Sequence, residues 1–312
     1  MRILIVASYN QGRFAPFIVE QVEALKRDGC EIVFFGVKGK GVKGYLKNLS
    51  ALKKEIKTFS PDVIHAHYGL SGLLANLLRK VPVVTTYHGS DINDQMILPF
   101  SKMAMRLSAW NIFVSRKTME IAHPKSIRLS MLPCGIDLTE LQFTEKNEAR
   151  RRMGLEAEKK YILFAGAFDN LVKNASLAKE TVGLFHDNRM ELLELKGYSR
   201  EQVTLLMCAA DAFLLTSFSE GSPQVIKEAM ACGCPIVSVD VGDVKERLEG
   251  LEGCYVSRTH NAHELAILLQ KVLSFESKTN GREKLMSDCL DNKVVAQQLI
   301  GIYKMVVSGE NR

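Results

Sequence analysis

The feature that most constrains this chain is an alternation, run twice, of short apolar strands with helical stretches. The first series opens on Arg2-Ile3-Leu4-Ile5-Val6-Ala7, a continuous apolar run of the kind buried on both faces of a sheet. A turn at Asn10-Gln11-Gly12 leads into a helix over 15–28 that Gly29 closes, and Glu31 to Val37 is the next strand. Tyr45 to Phe59 reads as one amphipathic helix, with Leu46, Leu49, Leu52, Ile56 and Phe59 on one face and Lys47, Lys53, Lys54 and Lys57 elsewhere. Strands follow at 63–65, 83–86 and 110–114, and Pro133-Cys134-Gly135-Ile136-Asp137 is a turn that ends the series.

Residues 140–160 are charge-rich, with Arg150-Arg151-Arg152, and read as a connector plus a short helix. A second series then starts at Tyr161-Ile162-Leu163-Phe164-Ala165-Gly166. Strands are expected at 190–195, 212–216, 235–239 and 254–256, and helices at 174–185, 200–209, 223–231 and 261–274. A last helix, 293–307, aligns Val295, Leu299, Ile302, Tyr303 and Val306. Strands that alternate with helices form parallel sheets covered by those helices. The expected fold is therefore α/β, with two doubly wound domains facing across a cleft. The expected division is 1–143, 144–292 and a C-terminal helix, 293–312, packing back toward the first domain.

Composition narrows the class further. Hydrophobic residues make up 46%, enough to form a sizeable core, and no apolar run approaches the roughly 18 residues that span a bilayer. The first residues lack the apolar core and small-residue cleavage pattern of a signal peptide, so a cytoplasmic location is expected. Seven scattered cysteines, of which only Cys232 and Cys234 are close, fit reduced thiols better than a zinc site. Residues 1–143 carry 19 Lys and Arg against 11 Asp and Glu, a net +8, whereas the remainder carries 22 against 24, a net −2. A basic first half suits an acidic or phosphate-bearing partner, or is simply a solvated lysine-rich face. Beside that solvated-face reading, the lysines of the 45–59 helix could rest peripherally on anionic headgroups at the inner face of a membrane. Nucleic-acid binding is disfavoured because no aromatics interleave the basic residues.

The stretch from Thr216 to Met230 is the richest in chemistry. A strand ends near Thr216, a turn follows at Gly221, and Ser222 is placed to cap a helix entered at Pro223-Gln224. Such a helix start attracts anions through its unpaired amides and dipole. Glu220 stands at the mouth of the loop, and Glu228 lies inside the helix among Val225, Ile226, Ala229 and Met230. Burying that carboxylate requires donors, and vicinal sugar hydroxyls match its two oxygens. The plainer alternative is one loop glutamate and one exposed helix glutamate.

Three further groups stand at strand ends. His88 follows the strand ending at Thr86, so it sits at the carboxyl edge where open α/β sheets bind ligands, able to donate to a sugar hydroxyl or to developing charge. A histidine bonded to a backbone carbonyl is the alternative. Lys173 follows the strand that ends at Gly166 and is placed to pair with an anion there. His65 and His67 are read as facing opposite sides of the sheet, with His65 structural.

The run Glu228-Ala229-Met230-Ala231-Cys232-Gly233-Cys234-Pro235-Ile236-Val237, with the stretch before it, resembles the nucleotide-sugar site of retaining GT-B glycosyltransferases, the glycosyl transferases group 1 family. Two glutamates with seven residues between them mark that site, as Glu220 and Glu228 do here. Ala210 to Ser217, Pro61-Asp62-Val63-Ile64-His65-Ala66-His67, Thr86-Tyr87-His88-Gly89-Ser90-Asp91 and Pro133 to Asp137 fall in the family's order across nearly the whole chain. The resemblance implies two Rossmann-like domains and transfer of a sugar, with retention, from a nucleoside-diphosphate sugar to a glycan or lipid-linked acceptor in polysaccharide biosynthesis. His88 and Glu220 would be catalytic, and Lys173, Gly166, Gly221, Ser222, Pro223, Gln224 and Glu228 would bind the donor, Glu228 through the ribose. Gly197-Tyr198 resembles the turn that holds the base, and Gly12-Arg13, with His67, would lie toward the acceptor.

The chain departs from the family at Ala167, where an arginine usually follows the glycine, in the short segment 176–190, and at Gly12, where a glycine pair is usual. No Asp-x-Asp metal motif is present, so helix amides and Lys173 are expected to replace a divalent ion, and no cofactor beyond the donor is expected. A sugar-nucleotide epimerase of the same fold would give product from the donor alone. A non-catalytic nucleotide-sugar-binding subunit would bind without turnover. A nicotinamide dehydrogenase is disfavoured, because no G-x-G-x-x-G follows either opening strand.

Overall fold

The structure, a computed structural model, describes residues 1–125 and 127–309. It divides into two compact units, Met1–Gly135 with the C-terminal stretch from Leu290, and Ile136–Cys289. The first break thus falls at Gly135 rather than 143, because Leu138 and Leu141 are buried and their carbonyls accept from Arg282 at 2.5 and 2.7 Å. The second falls at Cys289 rather than 292.

The first unit contains β1 (Arg2–Ser8), α1 (Pro16–Arg27), β2 (Glu31–Val37), α2 (Gly41–Leu46), α3 (Leu49–Phe59), β3 (Val63–His67) and α4 (Gly69–Asn76). It continues with β4 (Val83–Tyr87), α5 (Ser90–Asn93), α6 (Leu98–Leu107), β5 (Trp110–Phe113), α7 (Arg116–Ala122) and β6 (Leu129–Met131). All strands are parallel, in the order β2-β1-β3-β4-β5-β6, and β1 pairs with β2 from Arg2 opposite Glu31 to Ser8 opposite Val37. Strand side chains alternate between faces, and both faces of β1 are apolar. Ile3 and Ile5 pack with Ile18 and Val22 of α1, while Leu4 and Val6 pack with Leu52, Ile56 and Phe59 of α3. Truncating any one of these buried side chains to alanine costs about 2–5 kcal/mol.

The single helix expected over 45–59 is two, joined at Lys47-Asn48, where the Asn48 amide donates to the carbonyls of Lys38 and Gly44, both at 2.9 Å. The apolar stripe of α3 faces the core, so any lipid contact by this helix would rest on its exposed lysines alone. The C-terminal helix observed spans Asn292–Ser308, and residues 310–312 of the expected segment lie outside the described residues. Its Val295, Ala296, Leu299 and Tyr303 share a core with β1 and α1.

The second unit runs α8 (Lys146–Met153), β7 (Lys160–Phe164), a 3-10 turn (Leu171–Lys173), α9 (Ala175–Gly183), β8 (Met190–Leu193), α10 (Arg200–Ala209) and β9 (Ala212–Leu215). Then come α11 (Gln224–Ala231), β10 (Ile236–Val239), α12 (Val244–Leu248), β11 (Cys254–Ser257), α13 (Ala262–Leu273) and α14 (Gly281–Ser287), so the C-terminal helix is α15. Its parallel sheet has the order β11-β10-β9-β7-β8. In each sheet the strand order reverses beside the opening strand, between β1 and β3 and between β7 and β9. Such switch points open crevices outside the carboxyl ends of the strands. Among the described residues, no helix is long and apolar enough to cross a membrane.

Candidate functional site

The switch point of the second unit gathers Gly166, Lys173 and Glu220. Gly166 follows β7, and a Cβ there would sit 3.0 Å from Cγ of Lys173, so the glycine leaves room for the lysine stem to fold over it. The 3-10 turn carrying Lys173 is tied to the end of β9, because the Thr216 hydroxyl lies 3.0 and 2.9 Å from the carbonyls of Lys173 and Asn174. Held this way, Lys173 Nζ donates to Glu220 Oε1 at 2.7 Å. Both side chains stay partly open, at 18% and 15% exposure, so an entering anion can compete for the lysine.

Glu228 lies one turn into α11 and is 6% exposed. Its donor, left open by the sequence, is Arg200, whose Nη1 bonds Glu228 Oε1. Arg200 is the first residue of α10, which begins with a reciprocal cap between Ser199 and Gln202. Lys227 is fully buried and donates to Gln224 Oε1 at 2.8 Å. The helix start differs in one respect from expectation. Pro223 is the N-cap, and Ser222, expected to cap, donates its hydroxyl to Asp243 Oδ2 at 2.9 Å, because the loop after β10 brings that carboxylate within reach. Gly242 adds to this contact, since a Cβ on it would lie 2.6 Å from the Gly221 carbonyl oxygen. Gly197 has a φ of +85° in the turn before α10, and Tyr198 beside it is exposed.

In the first unit, Gly12 turns the chain after β1 with a φ of +70°, and exposed Arg13 lines a cavity of about 450 Å³ with Ser8, Tyr45, Tyr68, Ser90 and Asp91. This cavity stands at the first switch point. Asp91, three residues after His88, is buried and accepts the backbone N–H groups of Gly69, His88 and Gly89 at 2.8, 3.0 and 3.1 Å. Burial raises its carboxyl to about 6 despite those amides. A glycine-rich sequence with the G-x-G-x-x-G spacing, Gly39 to Gly44, follows β2 rather than an opening strand. There a Cβ on Gly39 would lie 2.9 Å from Cα of Gly44, so these glycines serve loop packing.

Two expectations about the histidines fail. Residues two apart on a strand share a face, and the rings of His65 and His67 lie 4.4 Å apart on the same side of β3. His67, expected toward the acceptor, is fully buried, and its Nδ1 lies 3.0 Å from Nε2 of half-buried His88. His65 is held at both nitrogens, by Thr86 Oγ1 at 2.8 Å and by the Tyr303 hydroxyl of α15 at 2.6 Å. Burial keeps the Tyr303 phenol protonated, well above its usual range, so it donates to Nδ1 and places the His65 proton on Nε2. Burial also lowers His65 to about 3. Tyr303 stood on the apolar side of the last expected helix, but no local signal tied it to His65, 238 positions away, whereas Asp91 stood in the motif that carries His88.

The comparisons with known proteins agree with this two-part arrangement. Residues 15–140 match Glycosyltransferase Family 4, and residues 156–274 match Glycosyl transferases group 1. The chain therefore carries two glycosyltransferase domains in series, on Rossmann-like units of the GT-B fold. It is 31% identical over 224 residues to TuaC of Bacillus subtilis (strain 168), whose name places it as a glycosyltransferase of teichuronic acid biosynthesis. That match covers 62% of this chain and 58% of TuaC, so the chain spans less than two thirds of that relative's length. Among solved structures, sucrose-phosphate synthase (tll1590) from Thermosynechococcus elongatus aligns with a TM-score of 0.85 at 18% identity, covering 99% of this chain and all of that one. Anabaena Alr3699/HepE in complex with UDP aligns at 0.75 and 17% identity, covering 96% and 99%.

Proposed function

We propose that this chain moves a glycosyl unit from a nucleoside-diphosphate sugar to a glycan or lipid-linked acceptor in polysaccharide assembly, with retention of configuration and without a metal ion. The observation that carries the reading is the Lys173–Glu220 pair at the β7–β9 switch point, inside the segment that matches Glycosyl transferases group 1. Lys173 would take the diphosphate as its partner and stabilise the charge that grows as the sugar departs, which removes the need for a divalent cation. Gly221, Ser222 and Gln224, around Pro223, would offer backbone N–H donors to the same group, Glu228 the ribose contact, and Gly197-Tyr198 a seat for the base. Glu220 and His88 would act on the transferred sugar. Arg13 and the cavity at the first switch point would serve the acceptor. UDP is bound by the Anabaena protein named above, which motivates a uridine donor.

A thermal-shift panel of UDP-, GDP- and ADP-sugars tests the donor site. One nucleotide class should shift the wild type and fail to shift Glu228→Ala. Because that change leaves half-exposed Arg200 without its carboxylate, Glu228→Gln is run beside it to separate lost binding from lost stability. An equal shift in all three proteins would remove Glu228 from the site, and product formed from the donor alone would favour epimerisation.

A further inference from the structure

We propose that His67 is a positioning residue for His88: its Nδ1–H donates to His88 Nε2 and so fixes His88 in the tautomer that carries its proton on Nδ1. The inference rests on the proposed role of His88 and deepens it by naming which nitrogen faces the chemistry. A histidine that only fills a core bonds as His65 does, with both nitrogens on fixed neighbours. His67 bonds instead to a half-buried ring at the carboxyl edge of β4, and its Nε2, fully enclosed, finds no partner among the described residues.

The proton can be placed by comparing the two orphans. His67 is neutral, because burial lowers its basicity and the neighbouring His65 and His88 rings lower it further, so it carries one N–H. With that proton on Nε2, a buried N–H would lack an acceptor, the rarer and costlier defect. With the proton on Nδ1, only a lone pair is left unmatched, and Nδ1 donates across 3.0 Å to His88. His88 Nε2 is then an acceptor, and neutral His88 holds its own proton on Nδ1.

The surroundings hold the ring at this angle. Tyr68 and Phe17 lie 4.6 and 4.9 Å from its centroid, and Asp91 accepts its backbone N–H. Nδ1 looks toward Cys134 Sγ at 3.8 Å, a long contact to a soft, weak partner that a hydroxyl could displace. The geometry thus offers a donor at Nδ1, aimed by a residue that substrate never touches.

Two measurements test the assignment. Long-range nitrogen–proton NMR of the full chain with ¹⁵N-labelled histidine should show His88 protonated on Nδ1 and bare on Nε2, and His67→Leu should alter that pattern. A wild-type His88 protonated on Nε2 overturns the proposal, whether or not the variant folds. The second is kinetic, using UDP release from whichever UDP-sugar shifts the wild type. His67→Leu should lower kcat about 10- to 100-fold with the nucleotide-sugar Kd unchanged, as expected when a residue that orients a working imidazole is lost. His67→Asn, which keeps an amide donor at the Nδ1 position, should restore most of it. Full activity in His67→Leu while His88→Ala is inactive would defeat the positioning role alone. Full activity in His88→Ala would defeat the reading of His88 itself, leaving NMR to decide the tautomer.

Discussion

The buried His65 gives a quantitative prediction about acid stability. Its ring is enclosed, bonded at both nitrogens, and lowered by burial from 6.5 to about 3. A group whose folded pKa is depressed binds protons more tightly in the unfolded chain, so stability falls as pH drops below about 6.5 and keeps falling until about 3. Integrated from pH 7 to pH 5, the loss from this one side chain is about 2 kcal/mol. His67 is lowered in the same direction. Asp91 acts oppositely, because its folded pKa is raised to about 6: its stabilisation is complete below about 4 and is lost as pH rises through 6, which returns about 1 kcal/mol at pH 5. The difference between wild type and His65→Gln isolates the imidazole, since glutamine keeps a donor toward Thr86 and does not titrate. The assay is urea unfolding at pH 7 and pH 5 followed by Trp110, the single tryptophan, whose indole on β5 reports the first unit. The wild type should lose about 2 kcal/mol more than the variant over that interval. Equal losses would refute the burial argument.

Two more changes probe the second unit. Asp211 is buried and accepts from Arg150 at 2.6 Å, Lys146 at 2.7 Å and the Tyr161 N–H at 2.7 Å; Asp211→Ala strands the buried guanidinium and should cost about 3–5 kcal/mol, read as a lowered calorimetric transition. Gly166→Val places a branched side chain where Cγ of Lys173 lies 3.0 Å from a bare Cβ, so it should displace the lysine from Glu220 and abolish the nucleotide-sugar thermal shift while circular dichroism stays unchanged.

Elements framed by apolar runs and turn signals were legible from sequence, and several others were not. Strand β2 and helix α10 occur at the expected bounds because apolar residues and turn signals frame them. Helix α4 escaped notice because all of Gly69–Asn76 is buried, and a segment covered on every side shows no amphipathic alternation. Helix α5 and strand β6 are too short to show a period, whereas α6, with Ser101, Ala104 and Met105 buried along one side, and α7, capped by Ser115 and Thr118, carried local signals that were missed. The site divides between local and long-range signals. Glycine turns, the proline at a helix start and carboxylates in a loop are local signals and located Gly166, Gly221 and Glu220. Pairings such as Glu228 with Arg200 depend on which helices lie side by side.

Those long-range pairings answer a question the sequence raised, namely which cation takes the place of the family's arginine at Ala167. Besides Lys173, two cations stand on or beside α11, Arg200 bonded to Glu228 and Lys227 bonded to Gln224. Lys227 is fully enclosed and turned to Gln224, so it has no path to a ligand. Arg200 is bound to a carboxylate that is itself 6% exposed, and withdrawing it would leave Glu228 charged in a poorly solvated setting, at a cost of about 1–3 kcal/mol or more. An anion arriving at the β7–β9 switch point would have to overcome that cost to recruit Arg200. Lys173 imposes a smaller one, because its partner Glu220 retains access to water and can be re-solvated when the lysine turns away. On the proposed function, Lys173 would therefore supply the neutralising charge at this crevice, and Arg200 would hold Glu228 in place.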